Sequence, residues 1–193
     1  MRERKYARNK AVEYAGKWAY SRNPKYYNFD LIGGDCTSFV SQCIFAGSNI
    51  MNYTKDIGWY YINGNNKSPS WTGVEFLHKF LVNNRGIGPY GKEINQSDVK
   101  LGDVAQLSFD GQKFGHTLII INVDNKSLEG IKIASHTFDN YGKSIAEYTF
   151  QKVLHRPHPV HQEGQDEKQY HKSFATLQFL GLEKPYPRKT SFR

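Results

Sequence analysis

The apolar residues of this chain change period about halfway along, and that change limits the fold more than any other feature. Up to about residue 81 they recur at helical spacing; from about residue 103 they fall into short, β-branched runs. Ala7, Ala11, Tyr14, Ala15, Trp18 and Ala19 mark an amphipathic helix over 4–22, which Asn23-Pro24 ends. A second helix is expected from Cys36 to about Ala46, with Gly47 as its stop. A third should cover 73–81, since Thr72 and Glu75 have the spacing of a capping box. Residues 48–70 read as loop. Strands are expected at 103–109, 116–123, 130–135 and 145–150, with Asp110-Gly111 and Asp124-Asn125 as turns. Helices first and antiparallel strands after make an α+β layout.

The layout divides the chain into a domain over 1–153 and a basic extension over 154–193. The extension carries His, Pro, Gln, Glu and Lys, and one apolar island at 174–182 that reads as a short helix. At 193 residues there is enough chain for one sizeable core. A mean hydropathy of -0.67 and the lack of a long apolar run predict no membrane span. Met1-Arg2-Glu3-Arg4-Lys5 leads into no apolar stretch, so no signal peptide is visible. The expected location is therefore cytoplasmic by default, with release by a signal-independent route as the other option. A net charge of +8 favours acidic partners. No nucleic-acid-binding module accompanies it, so no nucleic-acid partner is expected, and the chain is expected to be a monomer.

Two cysteines are too few for a disulfide scaffold. Cys36 and Cys43 share one expected helix two turns apart, roughly 10 Å, too far to bridge. Both should be free thiols. Cys43, among Phe39, Val40 and Ile44, reads as a core residue. Cys36 is different. Gly33-Gly34 gives a tight turn, Asp35 is a natural N-cap, and Cys36 then stands in the first turn of a helix. The partial positive charge there favours thiolate, and the free N–H groups can bind an oxyanion.

A nucleophile needs a base, and the chain has seven histidines. His116 opens an apolar strand and His136 closes the next. If the two strands form a hairpin, the start of one lies beside the end of the other, and the two rings become neighbours, as a base and its orienting partner would be. Asp139 and Asn140 follow His136 and compete for the third position. Trp59, Trp71, Tyr60, Tyr61 and Phe76 are candidates for a substrate groove or for core. His155, His158 and His161 repeat every third residue, but Pro157 and Pro159 interleave them, so no helix holds them on one face and no metal is expected. No cofactor motif is present.

Several separated motifs, taken in order, resemble a known family. Residues 33–42, Gly-Gly-Asp-Cys-Thr-Ser-Phe-Val-Ser-Gln, are similar to the nucleophile motif of the bacterial "putative amidase domain" family. That family sits within the NlpC/P60 and CHAP group of papain-like cysteine peptidases and amidases. Gly58-Trp59-Tyr60-Tyr61, Ser68-Pro69-Ser70-Trp71-Thr72-Gly73-Val74, Leu101-Gly102-Asp103 and Gly115-His116-Thr117 resemble its other marks. The resemblance covers roughly 4–153. It implies a papain-like fold, with Cys36 as nucleophile, His116 as base and His136 as third member. It also suggests peptidoglycan stem peptides as the substrate class, and a residue before the cysteine, Tyr26 or Tyr27, as an aid to the oxyanion hole beside Asp35. The alternatives are an acyltransferase using the same site, a zinc site made of Cys36, His116 and His136, and a non-catalytic basic binder of anionic polymer.

Overall fold

A computed structural model describes residues 6–150 and 176–183. Helices α1 (Arg8–Trp18) and α2 (Cys36–Ser48) come first, followed by a small hairpin of β1 (Tyr61–Asn63) and β2 (Asn66–Lys67). Helices α3 (Pro69–Thr72) and α4 (Val74–Asn83) lead to the sheet strands β3 (Tyr90–Ile94), β4 (Val104–Ser108), β5 (Phe114–Val123), β6 (Ile131–Ser135) and β7 (Asn140–Ser144). Helix α5 (Ala146–Phe150) and strand β8 (Thr176–Glu183) complete the described chain. The main sheet is antiparallel with order β3-β8-β4-β5-β6-β7. This is an α+β architecture. Among the described residues no helix is long and apolar enough to cross a membrane.

Alternation along the strands builds two cores. Val104, Ile119, Ala134, Leu180 and Leu182 point to the side where Ala11 and Ala15 of α1, Phe39, Val40, Cys43 and Ile44 of α2, and Leu77 and Leu81 of α4 pack. Their neighbours Ala105, Leu107, Leu118, Ile120, Ile131 and Ile133 point the other way, to Val99, Ile145 and Tyr148. Both faces are covered, so side-chain direction on a strand decides which layer a residue can reach.

Several expectations change. Helix α1 is shorter than 4–22: Ser21 N–H bonds Trp18 O, closing a tighter turn well before Pro24. Gly47 lies inside α2, and Asn49, at φ 51, makes the left-handed stop. Gly47 is there for contact, since a Cβ on it would collide with the Tyr6 ring. The stretch over 69–83 breaks into two helices at Gly73, which makes no side-chain cap. Residues 145–150, expected as a strand, hold α5, and the strand is Asn140–Ser144 just before it. Strand β3 falls where no element is expected. The apolar island of the extension is a strand rather than a helix. It enters the sheet between β3 and β4, with Leu180 opposite both Glu93 and Val104.

The Leu101-Gly102-Asp103 motif fastens this arrangement. Arg8 donates to Leu101 O, to Asp103 Oδ1 at 2.6 Å and to Leu182 O, while Asp103 Oδ1 also accepts from Leu182 N–H. One buried carboxylate thus joins α1, β4 and β8. Gly102, at φ +78, lets Arg8 come close.

Candidate active site

Cys36 is the first residue of α2, as the glycine turn before it requires. Its sulfur is nearly buried, 3.8 Å from Thr37 Oγ1. Thr37 in turn meets Thr117 of β5, hydroxyl to hydroxyl, at 2.9 Å. The ladder between β5 and β6 runs from Val123 back to Ile119. Thr117 lies beyond that end, where the backbone edge of β5 is free to face the helix start. Burial pushes the Cys36 thiol up, opposed by hydrogen bonds from the Thr117 backbone, the Thr37 hydroxyl and the Thr37 backbone. The helix start was expected to favour thiolate; removal from water outweighs it.

His116 is also buried, and its Nε2 has no hydrogen-bond partner among the described residues. Desolvation lowers its pKa to about 4, so near neutral pH the ring is an uncharged base. It packs 5.7 Å from the Tyr148 ring and 6.5 Å from Phe109. Tyr148 OH is 3.0 Å from Ser135 Oγ, and burial pushes its phenol up, with a small further rise from the nearby Cys36. Tyr148 therefore lies within electrostatic reach of the sulfur and in ring contact with His116. A strand over 145–150, as the sequence leads one to expect, would not bring it here; on helix α5 it comes back over the sheet.

The expected pairing of His116 with His136 does not form. Ile119 lies opposite Ala134, and that register carried two residues further faces His136 with Thr117. A one-residue offset sends a side chain to the other face. His136 thus lies on the helical side, stacked on Phe39 at 3.9 Å, while His116 lies on the Tyr148 side.

Both nitrogens of His136 are engaged. Nδ1 is 2.6 Å from Asp35 Oδ2, and Nε2 is 2.8 Å from Trp18 O. A carbonyl can only accept, so Nε2 carries a proton, and Nδ1 is taken by the Asp35 carboxyl. Neither nitrogen is left to accept an N–H from His116. The pair joins the end of α1 to the start of α2 through one buried ring. Asp35, expected as an N-cap or oxyanion aid, makes no side-chain cap.

Asp139 binds Arg22, 2.9 Å from each of two guanidinium nitrogens, and the Asn140 amide donates to Phe138 O. Trp59 and Trp71, groove candidates, are fully buried with ring centroids 4.9 Å apart, and Trp59 Nε1 donates to Ser41. They are core. Tyr27 stands half-exposed beside Phe29, its N–H on Tyr61. His155, His158 and His161 lie outside the described residues.

Comparison with known proteins adds a family. A family model described as "Putative amidase domain" matches residues 5–155. Among curated proteins the chain is similar to "Uncharacterized protein YhbB" of Bacillus subtilis (strain 168), 30% identical over 138 residues. The matched stretch is 70% of this chain and 42% of that protein, so the chain spans less than half of its relative's length. No solved structure matches.

Proposed function

The chain belongs to the "Putative amidase domain" family, and on that premise we propose that it hydrolyses an amide bond with Cys36 as nucleophile and His116 as general base. The observation that carries the reading is the placement of two buried reactive groups near one end of β5. Cys36 stands at a helix start against Thr117, and the residue before Thr117 holds an uncharged imidazole whose Nε2 is unpartnered. A buried nitrogen without a partner costs stability unless something uses it.

The chemistry follows from the charge states. Thiol and imidazole both start neutral, so Cys36 gives its proton to His116 as sulfur attacks the carbonyl carbon. The oxyanion takes hydrogen bonds from backbone N–H groups at the start of α2. His116 then passes the proton to the leaving amine as the C–N bond breaks, leaving a thioester. Water, deprotonated by His116, cleaves the thioester and restores the thiol. His136 and Asp35 hold the helix start in place and do not take part in proton transfer, which revises the role expected for His136.

A helix-start cysteine packed on an antiparallel sheet supports the papain-like, NlpC/P60-like reading of the fold. Peptidoglycan stem peptides are the substrate class that the family resemblance suggests, and the charge of +8 suits an anionic wall polymer. The test is hydrolysis of purified muropeptides and peptide amides by the wild-type chain, Cys36→Ala and His116→Ala, with a fluorescent thiol probe to report Cys36. Loss of turnover in both variants with retained folding is expected. Undiminished hydrolysis by Cys36→Ala would end the reading.

A further inference from the structure

Two loops meet beside the start of α2. Residues 30–34 lead into Asp35 and Cys36, and residues 137–139 follow His136. They are fastened twice. Asp35 N–H donates to Thr137 Oγ1 at 2.8 Å, and Arg22 donates to the carboxylates of both Asp30 and Asp139 at 2.9 Å. Gly34, at φ +94, makes the approach possible, since a Cβ on it would stand 3.0 Å from Thr137 Oγ1.

The second loop is held in an unusual conformation. Thr137 and Phe138 have φ of 56 and 89, which bulky residues rarely adopt. Ser135 Oγ and Asn140 Nδ2 both donate to Phe138 O and keep it there. Strain of this kind persists where surrounding contacts over-determine it, and it gathers at functional sites.

The clasp has a consequence that packing does not explain. Leu31 is 98% exposed, Ile32 63% and Phe138 76%. Apolar residues gathered on a surface mark binding sites. The exposed Asp139 carboxylate is paired with Arg22, and Leu31, Ile32 and Phe138 are the apolar side chains that the two loops turn outward beside it.

We propose that Leu31, Ile32 and Phe138 form an apolar subsite that receives the hydrocarbon side chain or acyl chain flanking the scissile amide. The inference rests on the reading of Cys36 as nucleophile. It concerns the group beside the amide and leaves the polymer that carries it to the digestion described above. Continuity with the site argues for substrate as the occupant. The first loop runs directly into Cys36, and the second is bonded to the backbone of the residue before it. A face meant only for another macromolecule would not need to be fixed to the nucleophile.

The test compares octanamide with acetamide, titrated by NMR into the full-length Cys36→Ala chain, which binds without turnover. Octanamide should bind at least about 10-fold more tightly, since each buried methylene contributes about fourfold. Leu31→Ser and Phe138→Ser should each reduce that preference about threefold or more, with acetamide unchanged. Both side chains are exposed, so neither variant should lose its fold, which circular dichroism checks. Equal affinities, or a preference untouched by both variants, would overturn the subsite. So would variants that abolish self-association or binding to phosphatidylcholine vesicles without affecting octanamide. Iodoacetamide labelling of wild-type Cys36 separates the two claims. Octanamide preference without labelling removes the nucleophile and keeps the subsite; labelling without preference does the reverse.

Discussion

The buried imidazole of His116 should make the protein lose stability in a defined pH window. Its pKa in the folded chain is about 4, against 6.5 for a free histidine, and burial is the cause. Between those values the unfolded chain binds a proton that the folded chain refuses, so stability falls as pH drops from about 6.5 to about 4. Above that window the contribution is complete; below it, it is gone. At about 1.4 kcal/mol per pH unit the gap is worth about 3 kcal/mol, a large share of the ~5–15 kcal/mol that holds a domain folded. The assay is urea unfolding at pH 7, 5.5 and 4 for the wild type and His116→Gln, which keeps a polar side chain but cannot titrate. Carboxylates contribute to both curves and cancel in the comparison. The wild type should lose about 3 kcal/mol more than the variant between pH 7 and pH 4. Parallel losses would refute the reasoning, because the ring would then be solvated and free to protonate in the folded protein.

Asp35→Asn removes the charge that faces His136 inside the protein. Breaking a buried pair on one side costs about 3–5 kcal/mol, and the loss should appear in urea unfolding at pH 7. Cys43→Ala should cost about 1–2 kcal/mol as a modest core truncation, with thiol labelling of Cys36 unchanged; faster loss of labelling than of stability would reverse the roles of the two cysteines. Deleting 176–193 removes β8, whose Phe179, Leu180 and Leu182 are buried between β3 and β4. The truncated chain should show no cooperative thermal transition by circular dichroism, and a normal melt would mean that β8 adds nothing to the sheet.

How legible all this was in the sequence depends on the range of the interactions involved. The start of α2 at Cys36 is local: two glycines that must turn, then an apolar run at helical spacing, fix it within a few residues. The strands at 104–108 and 114–123 were likewise readable from their own β-branched pattern. The last strand was not. Residues 176–183 pair with segments about 70 to 90 positions earlier, and a short apolar island carries no mark of such a partner. The same holds at 140–150. Tyr141, Gly142 and Lys143 are polar or small because β7 is an edge strand, so the apolar residues that follow drew the strand assignment onto what is α5.

The site shows the same division more sharply. Hairpin logic correctly brought the end of β6 to the start of β5, and both histidines are buried there. What it could not supply was the register. Ile120 faces Ile133 but Asn122 faces Lys132, so a bulge at Ile121 shifts the ladder by one residue. With side chains alternating at every step, one residue decides whether His136 meets His116 or Asp35. The observed register gives His136 to Asp35 and Trp18, where both its nitrogens are used, and leaves His116 among Tyr148 and Phe109 with one nitrogen open. The two rings have therefore been sorted by environment. One is locked by hydrogen bonds that tie the end of α1 to the start of α2. The other is kept neutral by desolvation, the state a base needs before it can accept a thiol proton. A single sheet separates the two environments by showing one ring to each of its faces.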